Sequence, residues 1–203
     1  LTRPPASEVR AWRAQVDAAL ARMLDAADRE ACAQFLPVFE LGLHHEQQHQ
    51  ELMLTDILHA MSLNPLRPAV YGEESPHAPA AAAGWIGHDG GVVEIGHGGT
   101  GFAFDNEGPR HRVLLEPFQL AQRLVTNAEY QAFIDDGGYR SASLWLSDGR
   151  TLALEQGWDA PLYWLPDGLE FTLHGVQPRR PDAPVRHLSF YEAAAYAQWA
   201  GAR

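Results

Sequence analysis

PVFELGLHHEQQHQELMLTDILHAM, residues 37–61, decides how the first third of the chain folds. Leu41, Leu43, Leu52, Leu54, Ile57 and Leu58 are spread along it, and Gly42 is its one glycine. Pro37 stands at the front, where a missing N–H costs no intrahelical bond. The spacing predicts a helix from near Pro37 to Met61, stopped by Asn64-Pro65. Upstream, Val9, Trp12, Val16, Leu20, Met23 and Leu24 recur at helical spacing and predict an amphipathic helix. Ser7 is its expected N-cap, after the extended Pro4-Pro5 pair. Two helices bury too little to form a core, so this hairpin reads as part of a larger helical bundle.

Downstream the texture changes. Asn64 to Gly91 concentrates Pro and Gly and reads as an ordered connector. From Val92 onward, short β-like runs such as VVEIG and HRVLLEPFQLAQRLV alternate with Gly, Pro, Asn and Asp. Two capping boxes mark helix starts: Thr126–Glu129 opens TNAEYQAFIDDG, and Ser189–Glu192 opens SFYEAAAYAQWAG. Both end at a glycine suited to the C′ position. The expected fold class is therefore α+β: a helical-bundle part over 1–64, a linker over 65–90, and an irregular α+β domain over 91–203.

The chain has 203 residues, room for one or two domains at about 150 residues each. A 46% hydrophobic share supports a packed core. The net charge of -11 speaks against nucleic acid and anionic membrane as partners, since both call for a basic surface. No run reaches the ~18 consecutive apolar residues of a membrane span. The opening LTRPPASEVRAW lacks the basic-then-apolar layout of a signal peptide. Every cationic side chain is Arg, which excludes lysine nucleophiles within the chain. Cys32 is the single cysteine, so no internal disulfide forms, and a reducing, cytoplasmic compartment is expected. Its neighbours place Cys32 at a half-buried helix position.

The middle of the second helix carries the chemistry. At ~100° per residue, His45 and His49 lie about 40° apart, so both imidazoles can reach one ion. Gln48 flanks the pair. Glu51 is rotated about 120° from His45, which suits orienting a ligand or anchoring a neighbouring helix better than direct coordination. His/His pairs also occur on solvated faces, but here a run of His44 to Glu51 interrupts an apolar helix and is costly to bury unpartnered. The run contains H-E-x-x-H, the zincin pattern, yet no third zinc ligand follows in register. Two histidines with open positions also begin a non-haem iron site. Residue chemistry leaves zinc and iron both open.

LGLHHEQQHQELMLTDILHAMSLNPLRP resembles the metal-binding segment of the ergothioneine-biosynthesis sulfoxide synthases, the hercynine oxygenases. The shared pattern is H-x-x-x-H-x-E, here His45, His49 and Glu51. VVEIGHGGTGFAFDNEGPRHRVLLEPFQLAQRLVTNAEYQAFIDDGGY and PVRHLSFYEAAAYAQWAGAR resemble formylglycine-generating enzymes. The sulfoxide synthases join these two parts in this order, and the resemblance covers nearly the whole chain. It implies a DinB-like helical bundle followed by a formylglycine-generating-enzyme-like, C-type-lectin-like domain. It implies one non-haem Fe(II) on three histidines: His45, His49 and one from an earlier helix, expected before Leu1. It implies O2-dependent joining of hercynine to γ-glutamylcysteine or cysteine as a sulfoxide. Gln48 then becomes a contact for hercynine, and the catalytic tyrosine is expected beyond Arg203.

Three other readings compete. A selenoneine-pathway sibling would use a selenosugar and carry the same iron helix. A formylglycine-generating oxidase would need a cysteine pair, which the lone Cys32 does not supply. A non-catalytic metal- or thiol-binding bundle fused to a binding domain would bind no redox metal productively. Trp145, Trp158, Tyr163 and Trp164 are aromatic enough to cage a trimethylammonium group, but core packing is the expected role. Arg110, His111 and Arg112 are suited to a substrate carboxylate or, at the start of an expected strand, to pairing with Asp105 or Glu107. His174 and His187 are expected to be structural.

Overall fold

The computed structural model describes residues 3–72 and 79–203. It divides into two compact units: residues up to Met53 together with His97–Gly108, and Leu54–Gly96 together with Pro109–Arg203. His77 lies outside the described residues.

The first unit is dominated by α1 (Ala6–Ala26) and by most of α2 (Arg29–Ser62). α1 begins one residue before Ser7, with Pro5 at the N-cap and no side-chain cap hydrogen bond. Ser7 is thus inside the first turn, because Pro5 already holds the extended backbone an N-cap needs. α2 also starts earlier than expected, at Arg29. The Asp28 carboxylate accepts the Ala31 N–H at 2.8 Å, and its carbonyl accepts Cys32 N–H at 2.9 Å. This Asp cap outweighs Pro37, which sits inside the helix rather than at its start. Cys32 is half-buried on α2, as its neighbours indicated. Arg13 on α1 reaches Glu46 on α2 at 3.6 Å. No residue of α1 is buried, and Leu58 is the buried residue of α2. The two helices leave Trp12, Val38, Leu43 and Leu52 exposed and have no closed core of their own.

Among the described residues, the second unit contains three small antiparallel sheets. β1 (Trp85–His88) pairs with β4 (Phe118–Ala121), and β2 (Gly91–Ile95) with β3 (His111–Leu115). β5 (Trp164–Leu165), β6 (Leu169–Thr172) and β7 (Gly175–Pro178) form the third. β1 falls within the stretch 65–90 that read as connector. Gly90, at φ 75°, makes the turn into β2, and a Cβ there would lie 2.5 Å from the Leu115 carbonyl oxygen. Only glycine fits.

Both capping boxes form. Thr126 and Glu129 bond reciprocally at the start of α3 (Asn127–Asp135), as do Ser189 and Glu192 at α5 (Phe190–Trp199). Gly137 and Gly201 follow the ends of these helices at φ 81° and 69°. α4 (Ser147–Gln156) lies between them. The main core gathers Tyr130, Phe133, Tyr139, Trp145, Ala153 and Ala195 from these helices and their loops. A smaller cluster joins Leu58, near the end of α2, to Tyr163 and Phe171. Among the described residues no helix is long and apolar enough to cross a membrane.

Candidate functional site on the second helix

His45 and His49 project from successive turns of α2, their ring centroids 4.6 Å apart and planes at 87°. Two imidazoles bound at about 2.1 Å to one ion, roughly at right angles, would have centroids at about this separation. Both side chains are exposed, as are Gln48 and Glu51. Among the described residues, no group of three or more His, Cys, Asp or Glu side chains is placed to hold an ion. Among the described residues, then, two imidazoles are brought together and no third candidate ligand joins them.

Six other described histidines have partners elsewhere. His44 stacks on Phe102 with centroids 3.9 Å apart. His59 Nδ1 is 3.3 Å from the Tyr163 hydroxyl, and His88 stacks on Phe118 at 4.6 Å. His111 Nδ1 meets the Pro109 carbonyl at 2.9 Å, and His174 meets the Gly72 carbonyl. His187 packs edge-on against Tyr163, and burial, with Arg186 beside it, pushes its pKa down.

The aromatic-rich stretch packs as core. Trp145 is buried and donates from Nε1 to the Gly138 carbonyl at 2.9 Å. Trp164 lies under the Arg179 guanidinium, 3.6 Å from its ring centroid. Tyr163 is buried against Leu58 and Phe171. Arg110 pairs with Glu94 at 2.7 Å rather than with Asp105 or Glu107, since Glu94 lies on the adjoining strand. A cavity of about 420 Å³ in the second unit is bordered by Arg123, Arg180 and Arg186. Each of these arginines pairs with a carboxylate (Glu129, Asp182 and Glu170), so the cavity has little net charge to draw an anion.

Residue patterning missed one feature beside the pair. Residues 97–108 join the first unit, and Phe102 and Phe104 both pack on His44. The only trace in sequence is the G-F-A-F run in a glycine-rich loop, about 58 residues from its partner, a separation no local pattern reveals.

Residues 72–203 match the family described as the sulfatase-modifying factor enzyme 1-like domain. The chain belongs to this family. A hercynine oxygenase of Mycolicibacterium thermoresistibile is 38% identical over 184 residues, covering 89% of this chain and 41% of that protein. One from Mycolicibacterium smegmatis is 35% identical over 207 residues, covering 98% of this chain and 46% of its own. A formylglycine-generating enzyme of Streptomyces coelicolor is 33% identical over 159 residues, or 67% of this chain and 48% of that protein. The chain spans less than half the length of these relatives. Family membership accounts for the mixed helix and strand after residue 72, while the hercynine oxygenases also match much of the preceding helices.

Proposed function

We propose that this chain is the central portion of a non-haem iron(II)-dependent oxygenase that joins hercynine to γ-glutamylcysteine or cysteine as a sulfoxide in ergothioneine biosynthesis. The observation that carries this reading is the perpendicular His45/His49 pair, 4.6 Å apart, in a chain similar to hercynine oxygenases over up to 98% of its length. His45 and His49 supply two neutral nitrogen ligands. A third comes from sequence outside residues 1–203, from another helix of a DinB-like bundle that covers the exposed apolar faces of α1 and α2. When bound, Fe(II) would supply Lewis acidity toward a thiolate and a redox centre through which the thiol and the hercynine C–H give four electrons to O2, one oxygen ending in the sulfoxide and the other in water.

The protein's own contributions follow from α2. Gln48, about 60° round the helix from His45, is close enough to the pair to hydrogen-bond an imidazole substrate placed beside it. Glu51 faces away from the pair and orients a ligand or a neighbouring helix. In domain terms, the proposal keeps a bundle part over 1–64, a linker over 65–90 whose β1 strand pairs with β4 of the next domain, and a formylglycine-generating-enzyme-like domain over 91–203.

The test uses the complete gene product with Fe(II), O2, hercynine and, in separate reactions, γ-glutamylcysteine, cysteine or a selenosugar. Mass spectrometry should show a sulfoxide adduct with one thiol. An adduct only with the selenosugar would assign the selenium branch. No adduct with any donor, together with no bound iron after anaerobic loading, would leave a non-catalytic binding module. His45→Ala and His49→Ala should each abolish stoichiometric iron. Unchanged iron content in both would remove the pair as ligands.

A further inference from the structure

From Glu40 to Asp56 every residue of α2 is exposed except His44. Its partial burial comes from a loop distant in sequence: the ring lies on Phe102, 3.9 Å away and 17° from parallel, with Phe104 edge-on at 6.4 Å. Phe102 and Phe104 pack edge-to-face on each other, 4.8 Å apart. The loop is internally braced. His97 N–H donates to the Glu107 carbonyl at 2.7 Å, closing its ends in the manner of an Ω-loop. Glu107 Oε2 accepts the Phe104 N–H at 2.8 Å, and Glu107 N–H donates to the Phe104 carbonyl at 3.0 Å. Glu107 thus fixes the backbone that presents the two rings.

We propose that loop 97–108 is an aromatic brace on α2, with Phe102 and Glu107 as positioning residues for the ion held by His45 and His49. The inference rests on the reading of that pair as metal ligands. On the helical wheel His44 lies about 20° from Glu51 and about 40° from Gln48, so the brace grips α2 on the same flank, leaving both of them exposed. Side-chain atoms sit about 6 Å from the helix axis, where a rotation of about 10° moves a ring nitrogen by about 1 Å. Metal–ligand distances tolerate about 0.2 Å. The stack at His44, adjacent in sequence to His45, resists such rotation, together with the exposed Arg13–Glu46 pair on the neighbouring turn.

The test is anaerobic Co(II) titration of the complete protein, followed by the visible ligand-field bands of the bound ion. Phe102→Ala, His44→Ala and Glu107→Ala should each weaken Co(II) binding about tenfold and shift the bands, the size typical for groups that hold a ligand in place. Phe102→Trp and His44→Phe keep a ring in the stack and should bind Co(II) within about twofold of the unaltered protein. Loss of binding in His44→Phe would make His44 a ligand instead and overturn the brace. Unaltered affinity and bands in Phe102→Ala and His44→Ala, with cobalt lost in His45→Ala, would also overturn it while leaving the ligand pair intact. Wild-type cobalt binding in His45→Ala would overturn both. Should Phe102→Ala not fold, as judged by its thermal melt, the contrast between His44→Phe and His44→Ala decides.

Discussion

Both terminal nitrogens of the Arg123 guanidinium donate to Glu129, Nη1 to Oε2 at 2.7 Å and Nη2 to Oε1 at 2.8 Å. The same Oε2 accepts the Thr126 N–H at 2.8 Å and the Thr126 hydroxyl at 3.0 Å. One carboxylate therefore ties the end of the strand region to the N-cap of α3. The Arg123 hydrogen bonds, against a partial cost of burial and with help from Thr126, pull the Glu129 pKa down to about 2.

The folded state thus binds this proton more weakly than the unfolded chain, whose carboxyl titrates near 4.5. The sign is that of a depressed acid: its stabilisation is present above pH ~4.5 and disappears as pH falls toward about 2. Glu129→Gln keeps a side chain able to cap α3 but loses the charge. With the carboxylate 38% exposed, solvent screening limits the expected loss at pH 7 to about 1 kcal/mol. Urea unfolding of both proteins should show that gap at pH 7 and converge near pH 2. A gap that persists unchanged in acid would assign the effect to shape rather than charge.

Tyr139 makes a stronger buried link. Its hydroxyl donates to Glu192 Oε1 at 2.5 Å and lies 3.1 Å from the Tyr130 hydroxyl, so Tyr130 donates to it in turn. Burial pushes both phenols upward in pKa, so neither contributes tyrosinate to the folded protein at moderately alkaline pH. Tyr139→Phe strands a donor and a carboxylate together and should cost about 2 kcal/mol, whereas Tyr130→Phe removes only the end of the chain and should cost about 1 kcal/mol. Thermal melts of the two variants and of the double variant give the coupling. Equal costs for both single changes would show that the order of donation is not as assigned.

Gly138 is held by sterics alone. A Cβ at this position would overlap the ring of Phe133, which is fully buried and cannot move aside. Gly138→Ala should destabilise by about 3 kcal/mol, at the upper end for overpacking. Near-ultraviolet circular dichroism should lose intensity with it, since Phe133 touches Tyr130, Tyr139, Tyr196 and Trp199. A variant as stable as the original would mean the α3–Trp145 loop relaxes freely.

What could be read from sequence follows from how local each cause is. The capping boxes at Thr126 and Ser189 and the glycines after their helices depend on residues within a few positions, and all were legible. The strands of the first two sheets were legible in part, because Glu116-Pro117 separates β3 from β4 within what reads as one apolar run. α4 was hidden by a low-contrast pattern, SDGRTLALEQ, that takes its helical state from packing of Ala153 and of Gly149 under Tyr191. Asp28 as the true cap of α2 was masked by Pro37, the louder helix-start signal. At the site, the relation of His45 to His49 follows from helix geometry alone. The stack of Phe102 on His44 joins residues with no shared period and could only come from the fold.

Gln48 and Glu51 offer a sharper test of the site, because the proposed function gives them different duties. Gln48 flanks the pair, so Gln48→Ala should leave bound iron unchanged and raise KM for hercynine about tenfold with little change in kcat, the signature of lost uniform binding. Glu51 is turned away, so Glu51→Gln should leave KM for hercynine unchanged while weakening iron affinity about tenfold, as loss of an orienting partner does. Iron content by atomic emission and steady-state kinetics on the complete protein separate the two. An inverted result, with iron lost in Gln48→Ala and KM raised in Glu51→Gln, would mean that the active face of α2 is rotated from the His45/His49 direction toward Glu51. Gln48 would then be the side chain that holds the iron, and Glu51 the one that contacts the substrate.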